Sequence, residues 1–524
     1  MDLMPAGAGF SKPHPLRAEK KLPHPAVSAA LGMALSFYSY PFLVSRGLYF
    51  VLGFLFLPAL AVIIIRVFRY LPGTILQVFG KLGILTAALA AGFSLGIAAR
   101  RTVIGQAELG FRAEEISAVS GTLHQDPRSL QSGSGLGLLE LRETVTPGGL
   151  RSSARGQITV FFPGESIESL KEFGRGCEIY MDGSFYSSSQ PGANRLSSFR
   201  ASSVHIVKPA PALEAFRTFL RQTLLEKFQN LKSANLPTWG SLASALLLGV
   251  RDDLDMDLSE SFRKAGCTHI LALSGMHLAI ISGVLAFFLR RPFGIRWASL
   301  IGAVFIIFYI FVAGSQPSLV RAGIMYLIGA IAVWGLLKPQ PLSLLCMAFI
   351  IQIVFMSASG ITLSFTLSYL ALLGILTLGE SIRALFKGRL PSFFGKDVVA
   401  AGLSASLGAF VFTSPVLALY FDSLRPIGIL AGLVIAPFIS LFMVLSLAAL
   451  AAGFLPLPVW KLFDFILSWF YRFLELFFSF AGRFPGIHVS NPYPVLIFSL
   501  LFMALVLILQ KLDSLHRDNI ASFD

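Results

Sequence analysis

The segment Gly266–Leu285, GCTHILALSGMHLAIISGVL, is apolar and long enough to sit in a membrane, yet it carries His269, Ser274 and His277 and is interrupted by Gly275. An α-helix needs roughly 20 apolar residues to cross about 30 Å of hydrocarbon. Imidazoles and a hydroxyl are costly at that depth unless they meet water, a partner group or backbone. At about 100° per residue, Ser274 and His277 are neighbours one turn apart, and His269 lies on the same half of the helix. Gly275 has no side chain and lets another backbone or a ligand approach. Interrupted helices of this kind often line transport sites, although Ser and His also tie neighbouring membrane helices together. A hydrolytic Ser274–His277 pair would need an orienting third group, and no Asp or Glu lies in this helix.

Immediately upstream, ALLLGVRDDLDMDLSESFRKAG (245–266) packs Arg251, Asp252, Asp253, Asp255, Asp257 and Glu260 between apolar runs. Four aspartates offer oxygen ligands for a divalent cation, but the spacing is not that of an EF-hand, and a solvated loop with helix caps is the favoured reading. Downstream, FVAGSQPSLVRAGIMYLIG (311–329) sets Arg321 deep in an apolar run, with Gln316 and Ser318 on the preceding turn and Pro317 breaking the helix. An intramembrane arginine faces either a wet cavity or a partner. Its planar fork suits phosphate oxygens, and the alternative is an ion pair with an aspartate near 252–257.

The whole chain follows the same pattern. Of its 524 residues, 55% are hydrophobic and 13% charged, and the mean hydropathy is +0.73. Such a chain cannot cover a soluble core with polar surface and is a polytopic membrane protein. The net charge of +14 follows from Lys and Arg collecting in cytoplasmic loops. The three cysteines, Cys177, Cys267 and Cys346, match no metal-ligand spacing. No cleavable signal peptide is apparent, and the first apolar segment is expected to stay as an anchor.

Three spans are expected near Pro25–Val44, Leu48–Phe68 and Ile75–Ala98, and Arg17, Lys20, Lys21, Arg66 and Arg69 place the N-terminus inside. From 105 to 208, short alternating runs (ISAVSGTL, LGLLELRETV, GQITVFF, CEIYMDGSFY, ASSVHIV) are divided by turn clusters. Five such strands predict a small β-barrel of OB type. Residues 212–232 repeat Phe216, Phe219, Leu220, Leu224 and Phe228 at helical spacing opposite Arg217, Arg221, Glu226 and Lys227, as an interfacial amphipathic helix does. Ten further helices are expected between 238 and 510. Among them the segment 460–484 carries a polar stripe, including Lys461, Arg472 and Arg483, that either lies at the interface or lines water.

ALLLG with GCTHILALSGMHLAII, then FVAGSQPSLVRAGIM, GITLSFTLSYLALLGI (360–375) and the PVLALYF…LAGLVIAPFIS run (415–440), resemble the ComEC/Rec2 competence family. The order of parts is similar too: a tail (1–25), three spans (26–99), an OB-like extracytoplasmic insert (105–208, similar to DUF4131), an amphipathic helix (212–232), the competence membrane domain (238–510) and a short tail (511–524). The resemblance implies an inner-membrane channel that brings transforming DNA into the bacterial cytoplasm as a single strand. By position it assigns His269, Ser274 and His277 to the membrane-domain motif and Arg321 to the PSxxRA segment. Many members end in a metallo-β-lactamase-like domain; here no His- and Asp-rich metal motif is found, so no metal site or cofactor is expected.

The expectation is therefore a polytopic α-helical membrane protein with an inserted small all-β (OB-like) extracytoplasmic domain, serving as a single-stranded DNA channel without its own nuclease. No P-loop is present, so a separate cytoplasmic ATPase motor is implied, with a periplasmic DNA-binding receptor and a separate nuclease as further partners. The path residues are His269, Ser274, Gly275, His277, Gln316 and Arg321, with Arg251, Asp252, Asp253, Asp255, Lys461, Arg472 and Arg483 as a second set. The competing readings are a small-solute or lipid transporter and an intramembrane serine hydrolase.

Overall fold

The computed structural model describes residues 25–45, 73–102, 108–130, 133–186, 198–230, 239–338, 340–387, 396–454 and 460–520. The expected span Leu48–Phe68 lies outside them. The chain divides into two compact units, 1–97 and 98–524. In the first, helices α1 (Pro25–Ser45) and α2 (Gly73–Thr102, which runs on into the second unit) pack through small residues. Gly32 lies on the Leu89 carbonyl and Gly92 on the Ala29 carbonyl, so closely that a Cβ at either position would collide with backbone. Close backbone approach of this kind is how helices associate where lipid removes the hydrophobic drive.

The second unit opens with the β domain. Its strands are β1 (Ala118–Leu123), β2 (Arg128–Ser129), β3 (Gly135–Val145), β4 (Arg151–Ser153), β5 (Gln157–Phe162), β6 (Glu178–Tyr186) and β7 (Ser198–Lys208), with α3 (Gly164–Phe173) between β5 and β6. β1 pairs antiparallel with both β3 and β6. β3 pairs with β5 and β6 with β7, both antiparallel, and β5 pairs parallel with β7. These five pairings close a ring, which removes the exposed edges of an open sheet. The result is a closed five-stranded barrel. Alternate side chains fill it: Val119, Leu139, Ile158, Val160, Ile179, Met181 and Phe199 are fully buried.

A helical body follows: α4 (Ala212–Asn230), α5 (Trp239–Leu248), α6 (Met256–Lys264), α7 (Thr268–Leu271), α8 (Gly275–Ala313), α9 (Pro317–Trp334), α10 (Pro341–Phe355), α11 (Leu363–Lys387), α12 (Lys396–Phe421), α13 (Ile427–Ala452), α14 (Trp460–Ala481) and α15 (Tyr493–Ile520). α15 has no Gly or Pro after Pro494 and stays helical through most of the stretch expected as a tail. Among the described residues, five helices are long and apolar enough to cross a membrane: Gly275–Ala313, Pro317–Trp334, Leu363–Phe386, Asp397–Phe421 and Ile427–Ala452.

The 39 residues of α8 would extend about 58 Å if straight. Yet Ser318 Oγ donates to the Leu273 carbonyl at 2.6 Å, and Ser318 lies only five residues past the end of α8, a reach of about 18 Å at most. The chain must double back. It does so after Pro292 at Gly294, which adopts φ 70°, ψ 170°. α8 is thus a hairpin of two helices. α9 runs back along the second arm, with Gly302 against Tyr326, Gly323 against Ile306 and Ile310, and Trp297 edge-on to Trp334 at 5.6 Å.

The barrel is fastened to this body by charge. Arg217 of α4, fully buried, donates through Nη1 and Nη2 to Asp126 of the barrel (2.9 and 2.6 Å) and through Nε to the Phe311 carbonyl (2.8 Å). Arg221 donates to the same carboxylate (2.6 Å) and to the carbonyls of Ala313 and Leu248. The two cations therefore close the carbonyl ends of α5 and α8, where the helix dipole is negative. The expected amphipathic character of α4 is present in part: Leu220, Leu224 and Phe228 pack into the core, while Leu213, Phe216 and Phe219 are exposed and Arg217 is enclosed. Burial by itself would raise the Asp126 carboxyl, but the Arg217 hydrogen bond and the two guanidinium charges outweigh it and hold it far below the usual carboxylate range.

Asp126→Ala should therefore cost about 3–5 kcal/mol, because it strands two charges, and should expose the barrel–helix junction in hydrogen exchange. The clamp's stabilisation is present above the ordinary carboxylate range and is lost only as pH falls through the depressed folded value. Acidification to about pH 4 should accordingly leave the wild-type junction protected, since unperturbed Asp titrates near ~3.9.

Candidate functional site

The segment quoted first is not one helix. After α7 the chain is extended at Ala272 (φ −78°, ψ 134°) and Ser274 (φ −131°, ψ 172°), and α8 begins at Gly275. Ser274 and His277 meet because of this break rather than as neighbours on a helix face. The Ser274 N–H donates to His277 Nδ1 at 3.1 Å, and Ser274 Oγ lies 2.9 Å from the same nitrogen. This is a capping box with imidazole in the place usually held by Glu or Gln. Because Nδ1 accepts, the proton of the neutral ring sits on Nε2. Nε2 is buried and makes no well-formed hydrogen bond.

Arg321 lies one turn into α9 and is 7% exposed. Its Nη2 lies 2.9 Å from where a Cβ on Gly275 would stand. Nη1 donates to the Ser368 carbonyl, and Nε is buried without a partner. The guanidinium carbon stands 5.7 Å from the centre of the Tyr369 ring. Tyr369 donates to Gln352 Oε1 (2.9 Å), and Gln352 donates to the Pro317 carbonyl (3.0 Å). With Ser318 bonded to the Leu273 carbonyl, this network ties the starts of α8 and α9 to α10 and α11. Sequence reading did not single out Gln352 or Tyr369; a buried amide and phenol in apolar helices resemble ordinary packing groups.

The expected ion pair between Arg321 and an aspartate of 252–257 does not form. Asp252 bonds Lys171 of α3 (2.9 Å) and the Ser129 N–H (3.3 Å). Asp253 accepts from Gln229 (3.0 Å), and Asp255 caps α6 through the Asp257 N–H (2.9 Å). These three carboxylates dock the barrel, hold α4 and start a helix, respectively. Among the described residues no group of three or more His, Cys, Asp and Glu is placed to hold a metal.

Gln316 is the N-cap residue of α9, and its Nε2 lies beside Gly249, 3.9 Å from where a Cβ there would be. Arg251 is exposed and donates to the Leu271 carbonyl (2.9 Å). His269 stands apart from the Ser274–His277 contact. It is exposed. His277 lies within electrostatic range of both His269 and Arg251. Arg128 of the barrel lies within electrostatic range of both Arg221 and Arg251, and Asp126 and Asp252 lie within range of Arg221.

The second set of positions on α14 is not part of this site. Arg472 and Arg483 are exposed, and the side chain of Lys461 lies outside the described residues. The stripe's buried members are structural: Asp464 accepts from Trp239 Nε1 at 2.7 Å, which fixes α5 to α14.

Tyr369→Phe would leave Gln352 Oε1 unmatched and should lower stability by about 1–3 kcal/mol, read by thermal melting of the purified protein. Gly275→Val should be worse, since its side chain meets the Arg321 guanidinium.

Comparison with known proteins bears on the same region. A family model described as Competence protein matches residues 246–513, just over half of the chain. The chain is 27% identical over 293 residues to ComE operon protein 3 of Bacillus subtilis (strain 168), covering 53% of this chain and 35% of that protein. It is also 27% identical over 290 residues to an uncharacterized protein of Aquifex aeolicus (strain VF5), covering 55% of this chain and 64% of that one. The match thus spans about a third of one curated relative and under two thirds of the other. The matched region contains the helix break, Arg321 and their network, and the chain belongs to the competence protein family.

Proposed function

We propose that this chain forms an inner-membrane conduit through which a single strand of transforming DNA enters the cytoplasm. The observation that carries this reading is the convergence of a broken helix and a buried arginine that has no counterion among the described residues. A strand crossing a bilayer needs cationic contacts to its phosphates and a path that tolerates every base. Buried cationic groups supply the first. The family supports a role in DNA uptake.

In this reading the OB-like barrel lies outside the cytoplasm and sits at the mouth, where Arg128 and Arg251 meet the incoming strand. Phe216 and Phe219 of α4 rest in the outer interface of the lipid bilayer. The Lys- and Arg-rich helix connections near 290–296, 338 and 383–396 face the cytoplasm. A DNA receptor, an ATPase motor and a nuclease are separate partners.

The Ser274–His277 contact has the length a serine hydrolase would use, but the capping role accounts for it. Labelling by a serine-directed probe, lost in Ser274→Ala, would restore the enzymatic reading. The conduit itself is tested by uptake of labelled DNA in a deletion strain complemented with wild type or Arg321→Gln. Wild type should restore DNase-resistant label, and the variant, expressed at equal level, should reduce transformation by about two orders of magnitude; phosphate contacts in a low-dielectric path are worth several kcal/mol. Normal import in the deletion strain sinks the proposal, and a small-solute flux with no dependence on DNA would favour the transporter reading.

A further inference from the structure

We propose that the turn of the α8 hairpin seats the phosphate headgroup of an anionic phospholipid, with Arg290, Arg291 and Arg296 as its cations and the Trp297–Trp334 pair as its wall. Such a seat requires only that these helices cross a bilayer, whatever the protein conveys.

The position follows from helix length. The two arms of α8 (275–292 and 295–313) and α9 (Pro317–Trp334) are each about 27 Å long at 1.5 Å per residue, close to the hydrocarbon thickness of a bilayer. At one end they meet beside the bond from Ser318 to the Leu273 carbonyl. Their other ends therefore lie at the opposite boundary of the hydrocarbon, where Trp297 stands edge-on to Trp334 at 5.6 Å. There Phe293, Gly294, Ile295, Arg296, Trp297 and Trp334 line a cleft of about 480 Å³. Arg290, at the end of the first arm, lies within electrostatic range of Tyr326, which brings its charge toward α9.

The cleft is cationic without compensation. Arg290, Arg291, Arg296 and, just past α9, Lys338 are exposed. From 261 to 379 the chain contains no Asp or Glu. Among the described residues none of these four cations enters an ion pair. Retention of positive loops on one side accounts for the charge, but not for a cleft walled by two tryptophans beside it. Basic pockets between membrane helices take anionic headgroups, and the planar guanidinium fork matches phosphate oxygens.

The surroundings favour lipid over nucleic acid. Phe293 and Ile295 on the turn, and Leu336 and Leu337 just past Trp334, are exposed. Acyl chains cover such groups, whereas a hydrated strand leaves them in water. Tryptophan gathers at the headgroup level for the same reason, with its ring in the apolar zone and its N–H toward the polar one.

The test uses the full chain in phosphatidylcholine vesicles that carry rising fractions of phosphatidylglycerol brominated in its acyl chains, with brominated phosphatidylcholine as the reference. Bromine quenches tryptophan on contact, so Trp297 and Trp334 report on the cleft. Brominated phosphatidylglycerol should quench at a mole fraction about threefold lower than the reference, since each arginine near a headgroup adds its own attraction. The preference should shrink in about 0.5 M salt, which screens exposed charges. It should vanish in Trp297→Phe/Trp334→Phe and in Arg290→Gln/Arg291→Gln/Arg296→Gln, and persist in Arg472→Gln/Arg483→Gln. Equal quenching by the two lipids in wild type overturns the seat, as does a preference that survives either of the first two variants or is lost in the third. Should the triple arginine variant fail to insert, Arg296→Gln alone should lower the preference about twofold, and an unchanged preference there has the same overturning force. A single-stranded oligodeoxynucleotide that relieves the quenching at constant salt would give the turn to nucleic acid and overturn the lipid assignment.

Discussion

A helix that stops inside an apolar body leaves unpaired carbonyls at one end and unpaired N–H groups at the other, and neither can turn to water. The second unit of this protein is organised by how those ends are matched. Where α5 and the α8 hairpin finish, at Leu248 and at Phe311 and Ala313, the carbonyls receive Arg217 and Arg221. Where α8 and α9 begin, Ser274 and His277 cap the first helix and the Gln316 carbonyl accepts from Leu319 and Val320 of the second. The carbonyl ends are joined to the barrel through Asp126. Beside the N-terminal ends, Arg321 keeps an unmatched Nε.

That asymmetry separates scaffold from site. The carbonyl ends are locked by a buried carboxylate–guanidinium triad, which fixes the barrel against the helices with little freedom. The N-terminal ends are held in place by a neutral network, Ser318 to Leu273, Gln352 to Pro317 and Tyr369 to Gln352. Neutral hydrogen bonds position the guanidinium without cancelling its charge, whereas a carboxylate in the same place would cancel it. On the barrel side, Arg128 lies within electrostatic range of both Arg221 and Arg251.

Several elements were legible in the chain. The five main strands show in alternating apolar residues between turn clusters, because each strand buries one face in the barrel. Arg321 stood out for its depth in an apolar run, and the Ser274–His277 pair for its place beside Gly275. Other features were illegible for identifiable reasons. Amphipathicity alone cannot tell whether the polar face of α4 meets water or helix ends, so Arg217 and Arg221 read as a solvated stripe. The cluster of aspartates read as one group, although Asp252 and Asp253 go to partners distant in sequence while Asp255 caps its own helix. Asp126 gave no signal, since a single aspartate in a loop of the barrel has no local pattern.

The sequence by itself determined that this is a membrane protein of many apolar helices with a small β domain inserted, because hydropathy and side-chain alternation are local properties of the chain. It also marked which polar residues lie too deep to be incidental. Only the tertiary structure decided what those residues face. It showed the chain doubling back at Gly294, the barrel closing through β5 and β7, the aspartates drawn to the barrel and α4, and Arg321 left beside Gly275 with no counterion. The physical reason is that charge pairing and hydrogen bonding join groups tens to hundreds of residues apart, and no spacing along the chain records which partner a buried group will find.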